Sequence, residues 1–128
     1  VKALAANDEA LSGELGEIIT FIRHLLRCEV SGEAVGEFTL LGMDAAEIRE
    51  KSHHPSQYFG IRHFLPDVSF GAMVAELNHL RTLARETELA AFQAFREISG
   101  EITRVDIIRA FNRLSSLFWI MMCKERLK

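Results

Sequence analysis

Asn78, Arg81, Arg85 and Glu88 recur at steps of three, four and three, which on a helix sets an amide, two guanidiniums and a carboxylate along one stripe. Arginine presents a planar fork suited to bidentate phosphate binding, and a carboxylate one turn away can hold that fork's orientation. The plain alternative is a solvated face with an i,i+3 ion pair, so a binding role needs a second stripe opposite. Asn112, Arg113, Ser115 and Ser116 supply a candidate. They interrupt a segment otherwise suited to burial on nearly every side, where polar groups must find partners or a ligand. The two stripes permit an anionic small molecule without naming one.

A second group of candidates lies between Ser56 and Pro66, where Tyr58, Phe59 and Phe64 make an irregular stretch too apolar to stand free in water. Other chemistries find little support. His53, His54, His63 and His79 have no fixed zinc-ligand spacing, and no nucleophile elbow, P-loop or dinucleotide fingerprint is present. Cys28 and Cys123 lie too far apart in sequence for a disulfide framework or a CxxC site, which fits a reduced, cytosolic compartment. Fifteen Lys plus Arg against eighteen Asp plus Glu leave a net charge of −3, so there is no general basic field to hold nucleic acid. Any phosphate must be gripped locally. The longest strictly apolar run, residues 117–123, is far short of the roughly 20 residues of a membrane span, and the N-terminus lacks a signal-peptide pattern. A soluble, unexported protein is expected.

The elements that must position these residues read as helices. Leu11, Leu15, Ile18, Ile19, Ile22, Leu25 and Leu26 recur at threes and fours and predict a helix over about 8–28. Gly32, Gly36 and Gly42 mark a loop, within which only 37–41 could pair as a strand. Asp44 with Glu47 three residues later reads as a capping box opening a short helix that stops near His53-His54-Pro55. A long helix is predicted from about 69 to 98, with Met73, Leu77, Leu80, Ala84, Ala91, Phe95 and Ile98 on its apolar face and Ser99-Gly100 ending it. Thr103, with Asp106 three on, predicts the N-cap of a last helix whose stripe is Ile107, Phe111, Leu114, Phe118 and Met121. The expected fold is all-α, an antiparallel bundle of four to five helices within one domain over 1–128; the 128 residues suffice for a real core.

Three segments together resemble the C-terminal domain of ethanolamine-utilisation-type cobalamin adenosyltransferases. They are Leu80-Arg81-Thr82-Leu83-Ala84-Arg85-Glu86-Thr87-Glu88, Phe111-Asn112-Arg113-Leu114-Ser115-Ser116, and Ser52-His53-His54-Pro55-Ser56-Gln57-Tyr58. Their order and separations agree too, and the resemblance runs from about Leu11 to Met122. More distantly, the first two are similar to the RxxxRxxE and NRLSD patterns of propanediol-type adenosyltransferases; Leu89 stands where that type has a second basic residue, and Ser116 where it has Asp. The N-terminal Gly/Thr phosphate loop of the propanediol type is missing, as is the His and Cys metal cluster that precedes the domain in the ethanolamine type, so the domain is expected to lack an N-terminal extension.

The resemblance implies a transferase that moves the 5′-deoxyadenosyl group of ATP, carried with Mg2+, onto cob(I)alamin to form adenosylcobalamin. Cobalt is then the nucleophile, and the protein needs none of its own. Arg85 would contact the phosphates, Glu88 would orient that arginine and the nucleotide, Arg81 would support the same stripe, and Asn112 would reach ATP from the last helix. His63, Phe64 and Leu65, followed by Pro66, would lie under the corrin and displace its lower axial ligand, with Phe64 foremost and Phe59 and Phe70 as substitutes. Arg113 would make a structural ion pair; the acidic residue that would pair with an arginine across subunits is Glu14 or Glu17. The resemblance also implies a homo-oligomer, a dimer or trimer with shared sites, in the cytoplasm or a bacterial microcompartment. Two other classes remain open: a corrinoid-binding or delivery module without catalysis, which would bind cobalamin but no ATP, and a helical oligomerisation domain, which would bind neither.

Overall fold

A computed structural model of the chain describes residues 1–2 and 4–128. The described residues form five α-helices: α1 (Glu9–Ser31), α2 (Ala45–His53), α3 (Pro55–Phe59), α4 (Ala72–Ala94) and α5 (Val105–Arg126). A two-stranded antiparallel ribbon, β1 (Thr39–Leu40) with β2 (Met43–Asp44), precedes α2. The expected helical bundle is therefore present. Its organising element is α5, in which Leu117, Phe118, Trp119, Ile120, Met121, Met122 and Cys123 are buried in succession. Seven consecutive residues cover every side of a helix, so α5 must be wrapped by its neighbours. Leu15, Ile18 and Leu25 of α1, Ile48 of α2, and Val74, Leu77 and Ala84 of α4 share its core.

Local chemistry sets most boundaries. Asp8 caps α1 by accepting from the Leu11 amide at 3.0 Å, and left-handed Gly32 (φ 78°) ends it. The helix runs one turn beyond the expected 28. Its buried face also shifts: Phe21 and Cys28 point inward, whereas Ile19 and Leu26 are exposed. The expected capping box is formed, the Glu47 amide donating to Asp44 Oδ1 at 2.8 Å and the Asp44 amide to Glu47 Oε1 at 3.4 Å. Within 37–41 the strand shrinks to two residues, because Leu41 and Gly42 both take positive φ (54° and 77°) and turn the chain back onto Met43.

Three expectations are corrected. The stretch after His54 is not wholly irregular: Pro55, pre-set for a first helical position, opens α3, and left-handed Gly60 closes it. The long helix is shorter at both ends, beginning after Gly71 (φ 95°) and ending at Ala94. Beyond it an antiparallel bridge between Arg96 and Ile102 folds the chain back towards α5, leaving Ile98 fully exposed at the tip. Thr103 does not cap α5; its hydroxyl donates to the Phe95 carbonyl at 3.0 Å. The cap position is Arg104, itself left-handed (φ 49°), and its guanidinium donates to the carbonyls of Cys28 at 3.0 Å and Glu33 at 2.6 Å. A long side chain reaching the end of α1 thus holds the start of α5.

Asp106 completes that junction, accepting from the Val35 amide at 2.9 Å and lying 3.3 Å from Arg104 Nε. Burial works to raise its pKa, but the hydrogen bonds from Val35 and Arg104 outweigh it and hold the carboxyl below its ordinary value. Asp106 therefore stabilises the fold fully above its ordinary value of 3.8, and the contribution disappears as pH falls through the depressed folded-state value. Asp106→Asn should lower the urea midpoint at pH 7, and the gap between variant and parent should narrow in acid as the parent loses the same contribution.

Candidate functional site

The two stripes meet across the α4–α5 contact. A cleft of about 630 Å³ opens there, walled by Arg81 and Arg85 of α4, by Ser115, Ser116 and Trp119 of α5, by Ser52 and His53 at the end of α2, and by His63, Phe64 and Leu65 of the loop after α3. That volume suits a small-molecule site. The α4 stripe is organised by one carboxylate. Glu88 Oε1 lies 3.7 Å from Arg85 Nη1, while Oε2 accepts from Asn112 Nδ2 at 3.0 Å. Asn112 Oδ1 in turn accepts from Arg113 Nη1 at 2.6 Å, and Arg113 Nε donates to the Ala45 carbonyl at 3.1 Å. A chain of polar contacts thus runs from α4 through α5 to the first turn of α2.

The members of that chain differ in what they can do. The Arg85 side chain is 58% exposed against 18% for Glu88, so the carboxylate is the fixed partner and the guanidinium the one free to meet a ligand. An ion pair so exposed is worth about 1 kcal/mol at most. The hydrogen bond from Asn112 to a charged, largely buried acceptor is worth about 1.5–3 kcal/mol. Arg113 carries a different burden: burial lowers its pKa, Arg49 and Arg109 lower it further, and Glu88 opposes them. Burial also pushes the Cys123 thiol up to about 11, which keeps it protonated and unreactive.

The opposite wall is aromatic. His63 stacks on Trp119, ring centres 5.0 Å apart and planes within 10°, and Phe64 packs 4.8 Å from the same indole. Phe70 meets Phe64 edge-on at 5.4 Å, and the Arg126 guanidinium lies over both rings, 4.5 Å from Phe64 and 3.8 Å from Phe70. Arg81 lies 5.2 Å from the Trp119 centroid, so the indole links both walls. Of the loop residues singled out from sequence, His63, Phe64 and Leu65 line the cleft, and Leu65 is 86% exposed. Phe70 backs Phe64, and Phe59 packs against the core without lining the cleft.

The acidic candidates on α1 are elsewhere. Glu17 accepts from the Leu41 amide at 3.1 Å, and Glu14 neighbours Lys124 and Lys128, with burial raising its pKa. Within the chain neither pairs with Arg113, whose acceptors are the Ala45 carbonyl and the Asn112 amide. Sequence reasoning missed Trp119, the chain's sole tryptophan, because it lies inside the apolar run 117–123 and read as core. It is core and cleft at once, 6% exposed with its indole N–H unpaired. Among the described residues, no group of three His, Cys, Asp or Glu could hold a metal ion, and no helix is long and apolar enough to cross a membrane.

Residues 33–125 match the family model described as cobalamin adenosyltransferase. The chain belongs to the cobalamin adenosyltransferase family. The matched span holds every residue of the cleft and of the polar chain from Arg85 to Arg113, whereas Glu14 and Glu17 precede it. The relatives include the corrinoid adenosyltransferase EutT of Escherichia coli, 38% identical over 108 residues, and that of Salmonella typhimurium, 37% identical over the same length. Each alignment covers 84% of this chain and 40% of the relative, so the chain matches less than half the length of these curated proteins. No solved structure matches.

Within this adenosyltransferase-family domain, Glu88 should matter more to stability than the arginine it faces. Glu88→Ala strips Asn112 of its charged acceptor and should cost about 1–3 kcal/mol in chemical denaturation. Arg85→Ala should cost less than about 1 kcal/mol.

Proposed function

We propose that this domain contributes the nucleotide- and corrinoid-facing surfaces of an ATP-dependent corrinoid adenosyltransferase. The observation that carries the reading is the Glu88 bridge: one carboxylate aligns Arg85 from α4 and Asn112 from α5 on the edge of a cleft whose facing wall is aromatic. In the reaction, the cob(I)alamin electron pair attacks C5′ of ATP, the Co–C5′ bond forms, the C5′–O bond breaks, and the triphosphate leaves with that oxygen.

The side chains divide this work. Arg85 and Arg81 bind phosphate oxygens and stabilise the charge that grows on the leaving chain, Glu88 keeps Arg85 aimed, and Asn112 offers an amide to the nucleotide. Mg2+ enters with the nucleotide as the phosphates' counterion. His63, Phe64 and Leu65 supply the apolar face against the corrin, with Phe70 and Phe59 behind, and keep water from the cobalt.

A homo-oligomer, a dimer or trimer, belongs to the same reading. Leu89 and Phe92, three residues apart, leave an apolar pair exposed on one face of α4, where a second copy would cover it. Glu14 or Glu17 would then meet an arginine across the interface between copies. A cytoplasmic or microcompartment setting accords with two unpaired, buried cysteines.

Under anaerobic, reducing conditions with ATP and cobalamin, Arg85→Ala should lose at least about 100-fold in the rate of adenosylcobalamin formation, followed by absorbance, while its circular dichroism stays that of the parent. Activity retained by a folded Arg85→Ala protein would remove the phosphate role. Cobalamin binding with neither ATP binding nor turnover would make the domain a corrinoid-binding module instead.

A further inference from the structure

Beside the cleft a second depression of about 640 Å³ opens, and the two share His53. Three guanidiniums converge on it: Arg49 from α2, and Arg109 and Arg113 from α5. Arg109 and Arg113 stand four residues apart on one helix face, a like-charge spacing that destabilises a helix unless something offsets it. Glu88 opposes it in part at Arg113, but among the described residues no carboxylate forms an ion pair with any of the three arginines. The one carboxylate lining the depression, Glu50, is exposed and lies 3.7 Å from His54, not on an arginine. Among the described residues, Arg49 and Arg109 have no ion-pair partner, and the two acceptors of Arg113 are uncharged. Those two bonds engage Arg113 through Nε and Nη1, which fixes the plane of the guanidinium and leaves Nη2 without a protein acceptor. Burial lowers the Arg113 pKa, and Arg49 and Arg109 lower it further against the opposing effect of Glu88. Arg109 also borders the neighbouring groove that holds Asp44 and Asp106, but Asp44 caps α2 and Asp106 is engaged by Val35 and Arg104.

We propose that Arg49, Arg109 and Arg113 form a polyphosphate-binding site, separate from the Arg81 and Arg85 stripe. Three forked donors around one depression suit a short chain of phosphates, whose several oxygens accept from more than one guanidinium at once. A monovalent anion would neutralise one of the three. An extended nucleic acid needs a basic surface that a net charge of −3 does not provide. The chemistry is common to two sources: the tail of a bound nucleoside triphosphate, or a free triphosphate such as the one an adenosyl transfer releases. The assignment of that second source rests on the function proposed above; the binding of triphosphate does not.

The test is isothermal titration of sodium tripolyphosphate into the protein at constant ionic strength, with circular dichroism to verify folding. Arg49 and Arg109 are exposed, so the double variant Arg49→Ala/Arg109→Ala should fold as the parent does. Its triphosphate affinity should fall at least about tenfold, while Arg85→Ala changes it less than about threefold. Titration of protein saturated with ATP separates the sources: lost heat identifies the nucleotide tail, and retained heat the free chain. No binding to the parent, or a double variant within about twofold of it, overturns the site. Triphosphate binding by a protein that transfers no adenosyl group upholds the site and defeats the function; turnover without triphosphate binding does the reverse.

Discussion

The whole arrangement depends on the enclosure of α5. A helix that is apolar on all sides from Leu117 to Cys123 must be wrapped, and α1, α2 and α4 do so with their buried faces. The enclosure is incomplete at its N-terminal half. There Asn112, Arg113 and Ser116 are only partly covered, and Ser115 is buried beside them. Polar groups at the margin of a core cost free energy unless they are paired, and two of these find partners on adjacent helices. Asn112 finds Glu88 on α4, and Arg113 finds the first turn of α2. The packing of one helix thereby aligns the polar groups of two others.

The same constraint sorts the charges. Glu88 is the carboxylate in the polar chain, and its two oxygens face an arginine on its own helix and an amide on the next. Arg85 is left with a fixed base and an exposed head, as a group that meets a mobile anion requires. On the other wall the ring of Trp119 gathers His63, Phe64 and Arg81. Cationic and aromatic surfaces confront each other across one opening, which suits ligands that are charged at one end and flat and apolar at the other.

Features carried by local chemistry were legible in the sequence, and features carried by distant contacts were not. The capping box at Asp44 and Glu47 and the stripe Arg81, Arg85, Glu88 need only neighbours three or four residues away. The pairing of that stripe with Asn112 was legible too, through polar residues in an otherwise apolar helix and the resemblance they carry. The start of α5 was misread at Thr103 because its actual determinant, Arg104, acts through carbonyls of Cys28 and Glu33, more than seventy residues away. Ile98 read as core by periodicity alone, but the helix ends before reaching it. Trp119 was hidden because one side chain serves both the core and the cleft.

The most direct test of adenosyl transfer uses ATP carrying carbon-13 at C5′, incubated with the protein and cobalamin under reducing, anaerobic conditions and followed by carbon NMR. The account predicts that the label moves onto cobalt, giving a Co–C5′ signal that light abolishes while triphosphate accumulates. A label that stays in ATP while cobalamin is demonstrably bound and reduced would contradict it.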